Sequence, residues 1–332
     1  MPKGIMERLA EGSVLGDGGY LLELEKRGYV QAGPFTPEVA IEHPDALEQL
    51  HREFLRAGAE FLTTMTFYAS DDKLETVGMK GKVDDINRSA VLVARKVAAE
   101  GDVLVAGDLS LTWAYEPGDP ASHDHVRALF DRQLGAMNDA GGVDFWVGET
   151  FSYLGEALLF VERAKATGLP VMATMSFEQT EPRSYEGKTP GECARDLADA
   201  GADIVGVNCL NGPEQMLPIA IEMRSAVPGV PVAAQPVAYR TTGTEPDFTS
   251  YPNFPYGLTT MTLGRGEMGD FARHANEAGI ELIGSCCGSV AEHVRAMAKV
   301  LGKISSDERA WKSTGEKAMS AFEYHGHTET EV

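Results

Sequence analysis

The sequence is short of positive charge, cysteine and tryptophan, and it has no long hydrophobic run. Lys and Arg total 29 against 50 Asp and Glu, a formal net charge of −21. A chain this acidic repels phosphate backbones and anionic lipid surfaces, so neither nucleic acid nor a membrane is an expected partner. No stretch approaches the ~20 apolar residues of a membrane span, and Met1-Pro-Lys-Gly-Ile-Met-Glu7 carries no signal-peptide core. Only four cysteines and no export signal place the chain, as an expectation, in a reducing cytoplasm where thiols stay free.

What is present is a regular alternation. Short apolar, β-branched runs occur at Ser13–Gly16, Phe61–Thr66, Val103–Gly107, Asp144–Gly148, Pro170–Thr174, Ile204–Val207, Val230–Ala234 and Glu281–Gly284. They read as eight buried strands. Between them lie stretches with helical period, among them Ala40–Ala57, Val83–Ala99, His125–Ala140, Gly155–Thr167 and Gly191–Gly201. Gly58, Gly101, Gly141, Gly168, Gly201 and Gly279 fall where helix C-caps belong. Eight strand–helix units predict a (β/α)8 TIM barrel over residues 1–302, with its active site at the C-terminal ends of the strands. Residues 303–332 are polar and charge-mixed, and read as a C-terminal tail, partly disordered or ordered as a subunit contact.

The strand ends carry the chemistry. Cys286 and Cys287 end the eighth strand and Cys209 ends the sixth. Adjacent cysteines do not readily pair with each other. Three soft thiolates from two strand ends suit a zinc ion with one open tetrahedral position. The competing reading, three small buried hydrophobes, fits a lone cysteine better than this arrangement. An all-sulfur zinc site suits activation of a thiol substrate, whereas hydrolytic zinc sites usually carry His and carboxylate ligands.

The other strand ends deliver Asp17, Thr64, Phe67, Tyr68, Asp108, Glu149, Asn208 and Gln235. Asp17 and Glu149 would take an ammonium, and the Gly18-Gly19 amides a carboxylate, so a zwitterionic amino acid fits. The alternatives are a turn or N-cap role for Asp17 and a rim salt bridge for Glu149. Asp108 reads equally as a buried capping acid or as an attractor of a cationic donor. Phe35, Phe67, Tyr68, Trp113, Tyr115, Phe151 and Tyr256 are aromatics of the same rim. Phe35 and Tyr68 are the candidates for cation–π binding of an onium group, and most of the others read as loop packing. Cys193 reads as core, and His123 and His125 as solvated or capping residues in a polar loop.

Gly16-Asp-Gly-Gly19, Val207-Asn-Cys209 and Gly284-Ser-Cys-Cys-Gly288 resemble the signature of the zinc-dependent homocysteine S-methyltransferases. Leu24-Glu-Lys-Arg-Gly-Tyr-Val30, His51-Arg-Glu-Phe-Leu-Arg-Ala-Gly58, Thr66-Phe-Tyr-Ala-Ser70, Gln235-Pro236 and Phe254-Pro-Tyr-Gly257 resemble the betaine-type members. The resemblance covers about residues 10–302. It implies Cys209, Cys286 and Cys287 as zinc ligands, and Asp17 and Glu149 as the acids holding the homocysteine ammonium. Gly18 and Thr64 would lie near its carboxylate, and Phe35 and Tyr68 around the methyl donor. It implies methyl transfer from a betaine-type onium, glycine betaine first, to homocysteine, giving methionine. Two departures fall on the donor side: Thr150 follows the acid where the family has an aromatic, and Phe35 stands for a tryptophan. A sulfonium donor (a thetin or S-methylmethionine), another N-methyl betaine, or a subunit working with a corrinoid or other carrier protein are the alternatives. A homo-oligomer is expected, although the long C-terminal arm of the animal betaine enzymes is shortened here.

Overall fold

The computed structural model describes residues 3–31 and 36–305. Its eight strands are β1 (Val14–Leu15), β2 (Phe61–Thr63), β3 (Leu104–Ser110), β4 (Phe145–Phe151), β5 (Val171–Met175), β6 (Ile204–Asn208), β7 (Val232–Gln235) and β8 (Leu282–Ile283). Every strand pairing among the described residues is parallel: from β2 to β8 each strand pairs with the next, and β8 returns to β1. At the remaining seam, the Glu60 N–H donates to Leu15 O at 2.9 Å, and the Glu60 carboxylate accepts from Leu15 N at 2.8 Å. The result is the (β/α)8 barrel, and all eight strand runs read from the sequence are strands.

The helices are α1 (Ile5–Glu11), α2 (Leu21–Lys26), α3 (Val39–Glu42), α4 (Pro44–Ala57), α5 (Asp71–Glu75), α6 (Val83–Ala98), α7 (Pro120–Asp139), α8 (Leu154–Lys165), α9 (Pro190–Asp199), α10 (Pro213–Ala226), α11 (Arg265–Glu277) and α12 (Ala291–Val300). Three expectations are corrected here. The helix expected over Ala40–Ala57 is two, because Pro44 bars helical geometry at His43, which sits at φ −138° and ψ 56°. Gly101 is not a left-handed cap: the residue that caps α6, Ala99, is in right-handed geometry, and a Cβ on Gly101 would come 2.8 Å from Leu55 Cδ1. Gly58, Gly141, Gly168, Gly201 and Gly279 do take positive φ. His123 and His125 lie in the first turns of α7 rather than in a loop. His125 Nε2 meets Asp72 Oδ2 at 2.6 Å on the surface.

Strand alternation sorts the side chains into two layers. Val14, Phe61, Leu104, Ala106, Phe145, Val147, Met172, Ile204, Ala233 and Leu282 fill the barrel interior, and Ile5 and Leu9 of α1 pack into the same cluster. Val105, Leu109, Trp146, Val171, Ala173, Val205, Val207, Val232 and Ile283 face the helices. The outer layer is tight enough to require glycine at particular points. A Cβ on Gly148 would sit 2.3 Å from two ring carbons of Phe160. Gly148→Ala is therefore expected to lower stability by about 1–3 kcal/mol through overpacking, read as a lower midpoint in chemical denaturation at unchanged slope.

Carried one step further toward the C-terminal ends, the same alternation turns the interior polar. Asp108, Glu149, Thr174, Asn208 and Gln235 follow the apolar interior positions of β3 to β7, two residues on from Ala106, Val147, Met172, Gly206 and Ala233. The expected tail lies almost wholly outside the described residues. Among those residues, no helix is long and apolar enough to cross a membrane.

Candidate active site

The three thiols converge. Cys209 Sγ lies 3.7 Å from Cys287 Sγ, Cys286 Sγ lies 4.0 Å from Cys287 Sγ, and all three sulfurs fall within 4.8 Å of one another. Sulfurs bound to one ion at ~2.3 Å in a tetrahedron would be spaced about 3.8 Å apart. The cluster could therefore hold a metal ion almost as it stands. Contact with Cys209, then burial, pushes the Cys286 thiol well above its ordinary range, so a cation is what would favour thiolates here. Cys193, the fourth cysteine, lies on the buried face of α9 in the core, as its helical run implied.

Backbone geometry brings the sulfurs together. Cys209 and Leu210 both adopt left-handed conformations, with φ 57° and 55°, which turn the chain sharply off β6. Opposite them, the Cys286 N–H donates to Pro236 O at 2.8 Å and the Ala238 N–H to Cys287 O at 2.9 Å. The turn after β1 packs on this segment. A Cβ on Gly19 would lie 2.6 Å from Cys286 O, so only glycine allows that approach. Gly18 is equally tight, against the Phe54 ring.

A cavity opens beside the sulfurs at the barrel mouth. Asp17, Gly18, Thr64, Phe67, Asp108, Glu149, Gln235 and the three cysteines all line it, and among the described residues no Lys, Arg or His does. Asp17 is held firmly. Its Oδ2 accepts from Tyr20 OH at 2.5 Å and from Thr63 N at 2.6 Å, and its Oδ1 accepts from Thr63 Oγ1 at 3.1 Å. Tyr20 OH also meets His51 Nδ1 at 3.0 Å. Burial holds His51 down at about 3, so the ring is neutral. Burial lifts Asp17 to about 6, and its hydrogen bonds limit the rise.

Glu149 is aimed inward by a bulge. The β4–β5 register shifts between Gly148 and Phe151, and Thr150 stands at φ 63°, a costly geometry for a β-branched residue. Without the extra residue Phe151 would follow Glu149 into the cavity. With it, Phe151 packs outward among Phe130 and Phe160. Asn208 secures the bulge: its Oδ1 accepts from Thr150 N at 2.8 Å and from Thr174 Oγ1 at 2.8 Å. Its Nδ2 donates to Thr150 Oγ1 at 2.9 Å and to Glu149 Oε2 at 2.6 Å. Burial, then the charge of Asp17, raises Glu149 to about 7. Burial, then Glu149, pushes Asp108 well above the carboxylate range. The Thr64 hydroxyl accepts from Asp108 N at 2.9 Å and meets Thr66 Oγ1 at 2.9 Å, so it braces β3 as well as lining the cavity.

The aromatic rim divides. Phe67 lines the cavity, and its ring centroid lies 4.2 Å from that of Tyr68. Lys73 Nζ stands 4.4 Å over the Tyr68 ring, so one face of that ring already carries a cation. Trp113 and Tyr256 are 62% and 77% exposed, Phe151 is core, and Tyr115 stacks on His123. Phe35 lies outside the described residues. The sequence reading missed Tyr20, Thr63 and His51. The available signal was His51 itself, a polar residue on the buried stripe of α4 with Leu47, Leu50 and Phe54.

The chain matches the sequence model of the homocysteine S-methyltransferase family over residues 14–301. It is 46% identical over 311 residues to betaine–homocysteine S-methyltransferase 1 of Danio rerio, covering 90% of this chain and 76% of that one. It is 41% identical over 309 residues to the S-methylmethionine–homocysteine S-methyltransferase of Pongo abelii, covering 90% and 81%. Among solved structures it is similar to the metallated form of the homocysteine methyltransferase MmuM from Escherichia coli. The TM-score is 0.69 at 22% identity, over 86% of this chain and 95% of that one, which bears on the fold.

Proposed function

The chain belongs to the homocysteine S-methyltransferase family and is a methyltransferase, and from that premise we propose that it moves a methyl group from glycine betaine to homocysteine on a zinc site. The observation that carries the reading is the meeting, in one barrel mouth, of three thiols at metal-ligand spacing with the buried acids Asp17 and Glu149. Cys209, Cys286 and Cys287 would hold the zinc. When bound, that ion would keep a substrate thiol deprotonated, and therefore nucleophilic, near neutral pH.

The chain's own residues do the rest. Asp17 and Glu149 receive the homocysteine ammonium, which fixes the amino-acid end, while the turn at Gly18 and Gly19 suits its carboxylate. The substrate sulfur then faces the donor. It attacks a methyl carbon in line, the S–C bond forms, and the C–N pair leaves on nitrogen, whose positive charge is neutralised. Methionine and dimethylglycine leave, and no proton moves at the methyl. Phe67 and Tyr68 offer apolar and π surface on the donor side, which favours an onium group over bulk water.

Betaine relatives at 44–46% identity support glycine betaine as the donor. Thr150 and Phe35 keep a sulfonium in play, since the 41% identical relative is named for S-methylmethionine. The test is the purified, zinc-loaded chain with homocysteine and a panel of glycine betaine, S-methylmethionine and a thetin. Turnover at least ~10-fold faster with betaine is expected, the scale of discrimination that one pocket contact supplies. Turnover with S-methylmethionine alone would move the donor assignment to a sulfonium. No turnover with any donor, restored by adding a methyl-carrier protein, would favour the partner-subunit reading.

A further inference from the structure

We propose that Asp108 is a third acceptor for the substrate ammonium, and that it makes this pocket selective for a thiol bearing an α-amino group. The inference rests on the homocysteine reading above and concerns a residue that the reading does not use.

Asp108 is 1% exposed and lines the cavity, and its Oδ1 accepts from no donor. It reaches the cavity because it stands two residues beyond Ala106, on the interior face of β3. Its carboxyl faces that of Glu149, a second acceptor. Two buried carboxyls facing each other need a proton or a cation between them. The lining offers no basic side chain among the described residues.

Acceptor capacity separates the three acids. Each carboxylate oxygen can take about two hydrogen bonds. Asp17 Oδ2 is filled by Tyr20 and Thr63, leaving one position on Oδ1 after the Thr63 hydroxyl. Glu149 Oε2 already takes Asn208. Asp108 Oδ1 is free. An ammonium brings three N–H donors, so one to each acid satisfies the ligand and supplies the charge that the trio needs. A quaternary onium has no N–H and cannot satisfy a bare carboxylate oxygen. This assigns Asp108 to the amino acid rather than to the methyl donor.

The experiment compares calorimetric binding of homocysteine and 4-mercaptobutanoate, which lacks only the amine, to zinc-loaded wild-type, Asp108→Asn and Asp108→Ser proteins. Donor KM is measured beside it. The expected result is homocysteine affinity about 10- to 100-fold weaker in both variants, the scale of a hydrogen bond to a charged group. Affinity for 4-mercaptobutanoate stays within a few-fold, and so does the donor KM. Equal losses for both thiols would overturn the proposal in favour of a merely structural carboxyl, as would a rise confined to donor KM. A wild-type protein binding neither thiol would instead sink the homocysteine reading itself.

Discussion

Replacing Cys286 with alanine is expected to strip the metal from the protein and to lower turnover by about three orders of magnitude or more, the equivalent of several kcal/mol of lost charge stabilisation. The sulfurs of Cys209 and Cys287 would remain 3.7 Å apart, but two ligands do not make a closed soft site. The loss should not come from unfolding. The segment is held by its backbone, through Cys286 N to Pro236 O and Ala238 N to Cys287 O, and the substitution removes one half-buried sulfur. Cys193→Ala is the matched control. It deletes a thiol of the core outside the cluster, so it should cost some stability and leave the metal content at one ion. Metal analysis of both variants, beside circular dichroism and single-turnover rates, separates the outcomes. A Cys286→Ala protein that kept its zinc and its rate would end the proposed mechanism.

The barrel was legible because its signal is repeated. Eight β-branched runs at regular spacing, six of them followed directly by a polar residue, leave few other architectures. The alternation that fills the interior with Leu104 and Ala106 also says that Asp108 points inward, so this acid was visible as a rim residue before any contact was known. The thiol cluster was legible for a different reason: the ends of parallel barrel strands share one rim, so Cys209 and Cys286-Cys287 had to face the same mouth. What stayed hidden depended on single local events. The bulge at Thr150 adds one residue of register, and no periodicity reports it; yet it sends Phe151 out and leaves Glu149 in. The contact from His51 to Tyr20 to Asp17 joins α4 to the turn after β1, His51 and Tyr20 lying 31 positions apart in sequence, and hydrophobic pattern carries no such pairing. Trp113 and Tyr256 follow strand ends in sequence, but their loops carry them into solvent.

Glu149→Gln is expected to weaken homocysteine binding by about 30- to 4000-fold, because truncating one partner of a buried charge pair costs about 2–5 kcal/mol. Glutamine keeps the size of the side chain and can still meet Asn208 Nδ2 through its carbonyl oxygen. The missing quantity is therefore the charge. A pH series makes the same point without mutation. Glu149 sits at about 7 and Asp17 at about 6, both raised chiefly by burial. Below pH 6 both are largely neutral and attract an ammonium weakly; above pH 7 both are charged. The affinity ratio of homocysteine to 4-mercaptobutanoate should therefore rise between about pH 5 and pH 8, the thiol contribution cancelling between the two ligands. In Glu149→Gln the part of that rise centred near 7 should vanish. A ratio flat with pH, or equal weakening of both thiols, would remove Glu149 from ammonium recognition. The same shifts act on the fold with the opposite sign. A carboxyl whose folded value is raised above its unfolded one binds more protons when folded, so its stabilising contribution is present at low pH and lost as pH rises through 6 to 7. The ligand-free protein should accordingly melt at lower temperature at pH 8 than at pH 5.5. Homocysteine should recover more of that loss at the higher pH, since the charges that strain the empty pocket are those proposed to hold the amino acid.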